Sequence, residues 1–408
     1  MSSTNPLDVA REIGSRMYGD IGANAYEELE LAFASSLQPR FAELKRFRTW
    51  QNLAFYWQPG FHKSTIMEDF KDVLPDVYSC LKITGATTET MFGSIREDGK
   101  RLVYPMFVGH QMAYIPELMA FLGTVSRQDD ARVSTFNEVL EGNEVTRHII
   151  KFGNASQELI DEYCAGKDGL YFDGRSLRYT PNTCFVISTR PVDGKTFALL
   201  QNSGFWSRFH VIAPAISDSM AREIVTGSMN NERLVGVNDL RKELKAFNTQ
   251  LMQKPTSRDL PAYESFTLPI YQELDKLATA YCEKFSVDYA SLSPTRIGGD
   301  MFREANAYRI LMSSSSAQVL DWIKKRAGHF FQFTVNPQIA STTQVSHQYR
   351  EDLCREAILA SFGGQSEVER WRIVDVMQAQ GFKAITVDRT LKNHFKKSAV
   401  YGKYDVAP

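Results

Sequence analysis

The chain has 408 residues, 43% apolar and 23% charged, which is material for two or three globular domains and excludes a small fold that needs disulfide staples. Forty-seven Lys and Arg offset 48 Asp and Glu, so no whole-molecule field draws the chain to nucleic acid or anionic lipid, and any polyanion site must be local. The opening MSSTNPLDVA carries no basic segment ahead of an apolar run, and no window approaches the roughly 18 apolar residues of a membrane helix. A cytoplasmic protein without a membrane partner is expected. Cys80, Cys164, Cys184, Cys282 and Cys354 form an odd set with no C-x-x-C pair, which argues for reduced, mostly buried thiols rather than a disulfide framework or zinc ribbon.

In chain order, apolar spacing from Leu7 to Leu37 predicts two helices around Tyr18-Gly19-Asp20. Asn52 to Trp57 reads as a buried strand ending at Pro59-Gly60, with a helix from Ser64. Met112–Ile115, Cys184–Ile187 and Phe209–Ile212 are further short apolar runs, and their separation by helical segments predicts a parallel sheet covered by helices. From Val237 to Ser316 the spacing turns helical, with Leu240, Leu244, Phe247 and Leu251 on one stripe. A polar stretch from Ala327 to Ser346 reads as a linker. After it, helices near 351–362, 367–380 and 386–395 and a short hairpin outline a winged helix-turn-helix. The expected division is an α/β core over 1–235, a helical subdomain over 236–326, a linker over 327–347 and a winged helix over 348–408.

The segment Trp57-Gln58-Pro59-Gly60-Phe61-His62-Lys63-Ser64-Thr65 lies between predicted strand and helix. A phosphate loop needs converging backbone N–H groups, a lysine for the outer phosphates and a hydroxyl for Mg²⁺ at a helix N-terminus. Gly60, Lys63 and Ser64 supply those parts, although Trp57 and His62 stand where the strict G-x-x-x-x-G-K-S/T pattern has its glycines.

Other segments extend the pattern. Gln-Pro-Gly-Phe-His-Lys-Ser is similar to G-D-P-G-x-x-K-S, and Ser15-Arg-Met17-Tyr18-Gly19-Asp20-Ile21 to S-I-Y-G-x-x-x-I. Ile115-Pro116-Glu117-Leu118 falls at I-D-E-F, Phe136 to Glu141 at I-H-E-A-M-E, and Ile150-Lys151-Phe152-Gly153 at A-K-A-G. Ile187-Ser-Thr-Arg190-Pro191 stands at A-A-N-P, Gly204 to Phe209 at L-L-S-R-F, and Ser293-Pro-Thr-Arg296 with Arg303 to Ala307 at the S-x-R and R-x-A-x-A segments. In content and order these resemble the AAA+ module of the minichromosome maintenance (MCM) helicases.

The resemblance implies an AAA+ P-loop NTPase core with helical lid and winged helix, using ATP and Mg²⁺. Met17, Tyr18 and Gly19 would lie against the adenine, and residues Gln58 through Thr65 would cradle the phosphates, with Lys63 on the β/γ-phosphates and Ser64 on Mg²⁺. Glu117 would polarise the attacking water, Arg208 would be the finger reaching a neighbouring subunit's nucleotide, and Arg296 would be the sensor-2 residue. Two departures stand out: Pro116 replaces the Mg²⁺-associated Asp, and Arg190 replaces the sensor-1 Asn.

Lys151 and, in an enlarged insertion, Lys167 are the expected DNA contacts of a pore hairpin. A second candidate is the segment around Thr84–Gly93 with Arg96, Lys100 and Arg101 following. From Lys383 to Lys403 six Lys and Arg face one acid, and the spacing of Arg389, Lys392 and Lys396 predicts one basic helical face, with Lys403 on a wing. The expectation is a homo-oligomeric ring, a hexamer by family pattern, that moves along or remodels DNA as a minimal mobile-element or viral helicase, with replication or mobile-element partner proteins. A DNA-bound scaffold with slowed hydrolysis and a protein-remodelling AAA+ unfoldase are the alternatives.

Overall fold

The computed structural model describes residues 5–38, 48–85, 87–96, 101–122, 130–148, 158, 170–192, 200, 203–214, 222, 234–254, 268–285, 294–330, 345–380, 382 and 384–406. Its centre is a five-stranded, fully parallel sheet made of β1 (Leu53–Tyr56), β2 (Cys80–Lys82), β5 (Met112–Ile115), β9 (Cys184–Thr189) and β10 (His210–Ile212). Their spatial order is β10-β1-β9-β5-β2. The four strands expected from apolar runs are present; β2 is an addition, a three-residue edge strand of intermediate burial with no apolar run to announce it.

Strand alternation divides the core. Phe55, Met112, Tyr114, Cys184 and Val186 pack on one face with helix α1 (Pro6–Ser36) and helix α2 (Lys63–Phe70). Ala54, Ala113, Ile115, Phe185 and Ile187 pack on the other with α4 (Leu118–Leu122) and α5 (Asp130–Glu141). This is an α/β fold compatible with a P-loop NTPase-like core. Between β2 and β5 lie α3 (Thr88–Phe92) and a hairpin of β3 (Ser94–Arg96) and β4 (Arg101–Val103). β6 (Val145–His148), β7 (Leu170–Phe172) and β8 (Ser176–Tyr179) make a separate antiparallel sheet in the order β6-β8-β7.

Helix α1 is broken at Gly19 (φ 66°, ψ −155°), so the expected turn is there. The chain folds back so closely that a Cβ on Gly14 would sit 2.1 Å from the Gly22 carbonyl oxygen. The helical subdomain comprises α6 (Val237–Gln253), α7 (Leu268–Phe285), α8 (Pro294–Met312) and α9 (Ser316–Phe330). Both α6 and α8 pack on α1. Helix α9 continues through Phe330, into the stretch read as linker, because Val319 and Ile323 bury one of its faces.

The C-terminal part holds α10 (Val345–Phe362), α11 (Arg370–Ala379) and α12 (Ala384–His394), with β11 (Gln365–Glu369), β12 (Lys396–Lys397) and β13 (Lys403–Val406) in an antiparallel sheet ordered β11-β13-β12. Residues 367–369, expected to begin a helix, are a strand paired to β13 instead. They are drawn into the sheet by the burial of Val368.

Candidate nucleotide site

The loop after β1 is the best-built part of the site. Gly60 has φ +87° with open space around it, so a glycine is needed there for conformation, not room. His62 is left-handed as well (φ 54°), a conformation that costs a non-glycine residue about 1 kcal/mol or more. It places α2 directly after the turn and makes no side-chain cap, so the first N–H groups of α2 have no side-chain acceptor from their cap residue, an arrangement suited to an anion. Its ring lies 5.4 Å from that of Tyr18.

Trp57, at the expected glycine position, has become a brace. It is buried, packs on Phe55 at 5.2 Å, and its indole N–H donates to the Phe61 carbonyl at 3.1 Å, spanning the loop. Lys63 folds back over it: Nζ donates to the carbonyls of Trp57 (2.7 Å) and Gln58 (2.8 Å) and lies 5.6 Å from the indole centroid. Burial lowers the Lys63 ammonium to about 8, against an opposing pull from Glu117. The exposed Glu117 is thus near enough to act on the lysine's charge across the site. Gln58, Pro59, Ser64 and Thr65 are exposed around it, and Phe61 is half-buried.

β9 pairs with both β1 and β5, aligning Tyr56 with Thr189 and Ile115 with Ile187. The Lys63 loop, Ser188-Thr189-Arg190 and Pro116-Glu117 thus leave the carboxyl ends of three adjacent strands. β1 lies between β9 and β10, where the chain crosses over, the place where open α/β sheets bind ligands. Arg190 is exposed, and its carbonyl accepts from the Thr189 hydroxyl at 3.1 Å. Ser188 Oγ donates to the Pro116 carbonyl. Tyr114 is fully buried on the α2 face, with a hydroxyl that completes no hydrogen bond. Burial raises its phenol, and the nearby hydroxyls of Ser64 and Ser188 act in the opposite direction.

The Met17-Tyr18-Gly19 turn reaches the same loop. Tyr18 donates to Asp69 of α2, and Arg241 of α6 lies 3.6 Å from Asp69 and 3.3 Å from the Met17 sulfur. Burial first, and the Asp69 carboxylate second, push the Tyr18 phenol upward. Arg241 joins α1, α2 and the helical subdomain beside the turn; it lies among the predicted elements, but its partners are too distant in sequence to be read from spacing.

The remaining predicted residues lie apart. Arg208 is held within its own chain, 3.0 Å from Glu141 and donating to the Gly204 carbonyl, with 12% of its side chain exposed. Arg296 is in the first turn of α8, and its side chain lies outside the described residues. Lys151 and Lys167, between β6 and β7, lie outside them too, and so does Lys100, between β3 and β4; Arg96 and Arg101 are backbone register partners in the β3–β4 pairing. Arg389 and Lys392 are exposed on α12, but Lys396 is on β12, paired in register with Asp405. The single helical face expected for these three is thus corrected: α12 stops at His394 because the chain enters the sheet. Arg389 lies 3.6 Å from Glu351, and Lys403 lies 3.4 Å from Glu367.

The donors around the loop fit a nucleotide-borne Mg²⁺: the exposed Glu117 carboxylate and the exposed Ser64 hydroxyl, the sparse set typical of Mg²⁺ held chiefly by phosphates and water. Among the described residues, Glu28, His210 and Glu304 also lie within 4.8 Å of one another, but Arg326 already pairs with both carboxylates. Compared with known proteins, the chain matches no family model, and no curated protein matches it.

Proposed function

We propose that the chain is an ATP-dependent, MCM-like AAA+ motor that assembles as a ring and translocates on or remodels DNA. The observation carrying this reading is that Lys63 and Ser64 follow the carboxyl end of β1 and Glu117 that of β5, the two parallel strands on either side of β9, beside a helix start without a side-chain cap.

On this reading the α2 N-terminus and Lys63 hold the phosphates. Lys63 exchanges two neutral carbonyls for phosphate oxygens, whose charge would restore the protonation that burial weakens. Mg²⁺ supplies neutralisation of charge on the outer phosphates, with Ser64 and Glu117 as the residues that would hold it and its water. Glu117 orients the attacking water, and the exposed Arg190 supplies a cation from β9. Tyr18 and Met17 line the base side. Lys151 and Lys167 would reach DNA from the β6–β7 connection, and Arg389, Lys392, Lys396 and Lys403 from a winged helix. The fully exposed Tyr401 beside Lys403 supports such a contact surface.

A scaffold with slow turnover is the second reading. Pro116 cannot supply the carboxylate that stabilises Mg²⁺ coordination, and Arg208 would have to leave Glu141 to act in trans. An ATPase assay with and without single- and double-stranded DNA, paired with strand displacement, separates the two. DNA-stimulated hydrolysis supports the motor; nucleotide binding and DNA binding without turnover support the scaffold.

A further inference from the structure

Beyond Val237, the buried residues of α6 are Leu244, Asn248 and Leu251, so an amide stands on the helix face where packing calls for an apolar side chain. Opposite it, Glu30 of α1 is fully buried as well. Asn248 Nδ2 donates to Glu30 Oε2 at 3.2 Å and to the carbonyl of Val73, in the turn that follows α2, also at 3.2 Å. The Val73 carbonyl can only accept, which fixes the orientation of the amide. Glu30 Oε1 and Asn248 Oδ1 are then both buried without a partner. An ionised carboxylate would bring two orphan acceptors and a net charge into this core with no donor for either, a costly arrangement. Among the described residues, the charged groups of the surrounding elements are engaged elsewhere: Arg241 and Lys245 of α6 with Asp69, Asp72 and Asp76, Lys71 with Glu68, the acids Glu27, Glu28 and Glu304 with Arg326, and Arg309 of α8 with Asn306.

We infer that Glu30 is a neutral carboxylic acid that latches α6 of the helical subdomain to the core, and that its ionisation at alkaline pH loosens this joint. A proton on Oε1 turns one orphan acceptor into a donor and removes a buried charge that no cation balances. Burial pushes this carboxyl up to about 8, and the hydrogen bond from Asn248 opposes that rise only in part. Helix α6 also carries Arg241, which lies 3.3 Å from the Met17 sulfur and 3.6 Å from Asp69, so loosening α6 disturbs the Met17-Tyr18-Gly19 turn as well. The latch does not depend on what the loop after β1 binds.

The test is urea unfolding of the full-length wild type and Glu30→Gln between about pH 5 and pH 9, reading the ratio of their folding constants. Glutamine keeps the shape and offers an N–H in place of the acid proton. An acid raised from 4.5 to about 8 by folding gives stability that is complete below about 4.5 and is lost as pH rises through about 8. The wild type should therefore fall behind the variant by up to about tenfold in folding constant per pH unit across that window, then hold a constant deficit above it. All other titrating groups are common to the two proteins and cancel in the ratio. At about pH 9 the amides of α6 should exchange faster in the wild type than in Glu30→Gln, with those of α11 and α12 alike in both. A ratio independent of pH overturns the inference, and so does failure of Glu30→Gln to fold at neutral pH, because a neutral residue of the same shape should be accepted. Equal exchange of α6 in the two proteins at about pH 9 overturns the latch.

Discussion

Two polar regions of the molecule handle charge in opposite ways. Between α1, β10, α8 and α9, the carboxylates of Glu27, Glu28 and Glu304 meet the guanidiniums of Arg11 and Arg326 and the imidazole of His210, with Arg326 contacting all three acids. At the candidate nucleotide site, Lys63 faces carbonyls and an indole, and Glu117, Ser64 and Thr65 are exposed. The first arrangement satisfies its charges internally and joins the helical subdomain to the sheet. The second leaves donors and a half-desolvated cation available, as a site that must exchange ligands requires.

The sharpest way to break the comparison is to remove the central cation of the closed network. Arg326→Met should cost about 3–5 kcal/mol in urea unfolding, because buried carboxylates lose their partner, with nucleotide affinity per folded molecule unchanged. A loss below about 1 kcal/mol would show that the network is not a structural joint. His210 gives the same region a pH signature. Burial acts to lower it, but Glu28 and Glu304 outweigh burial and raise it to about 9. Its stabilisation is thus complete below an unfolded value of about 6.5 and is lost as pH rises through about 9. Denaturation midpoints should fall across that window, and the fall should vanish in His210→Gln.

Smaller effects belong to the open site. Trp57→Phe keeps the ring packing but removes the bond to Phe61, so stability should drop by about 1 kcal/mol and ATP affinity should fall as the loop loosens. Smallest is Lys392→Ala in the C-terminal part, expected to reduce the salt slope of DNA binding by about one unit without altering ATP affinity.

What was legible in the sequence follows from how local each cause is. Four sheet strands announce themselves as contiguous apolar runs; Cys80–Lys82 does not, since an edge strand takes its pairing from β5 rather than from its own hydrophobicity. Lys63 and Ser64 are readable because the helix start is their immediate neighbour. Tyr114 reads as one more apolar residue of its strand, and only the placement of α2 and the register of β5 against β9 bring the Ser64 and Ser188 hydroxyls near its phenol. The Arg326 network was invisible for a related reason, as Arg326 and Glu28 are 298 residues apart. Lys396 was misassigned because helical spacing was extended past the point where strand pairing with Asp405 takes over.

The most direct test of the central claim is ATP binding by wild type and Lys63→Ala, measured by calorimetry on the same preparation with unfolding midpoints as a control. Because a charge-assisted hydrogen bond contributes about 1.5–3 kcal/mol, the variant should lose at least about tenfold in affinity while its unfolding midpoint changes little. Equal affinity in the two proteins would contradict the assignment of this loop as a phosphate site.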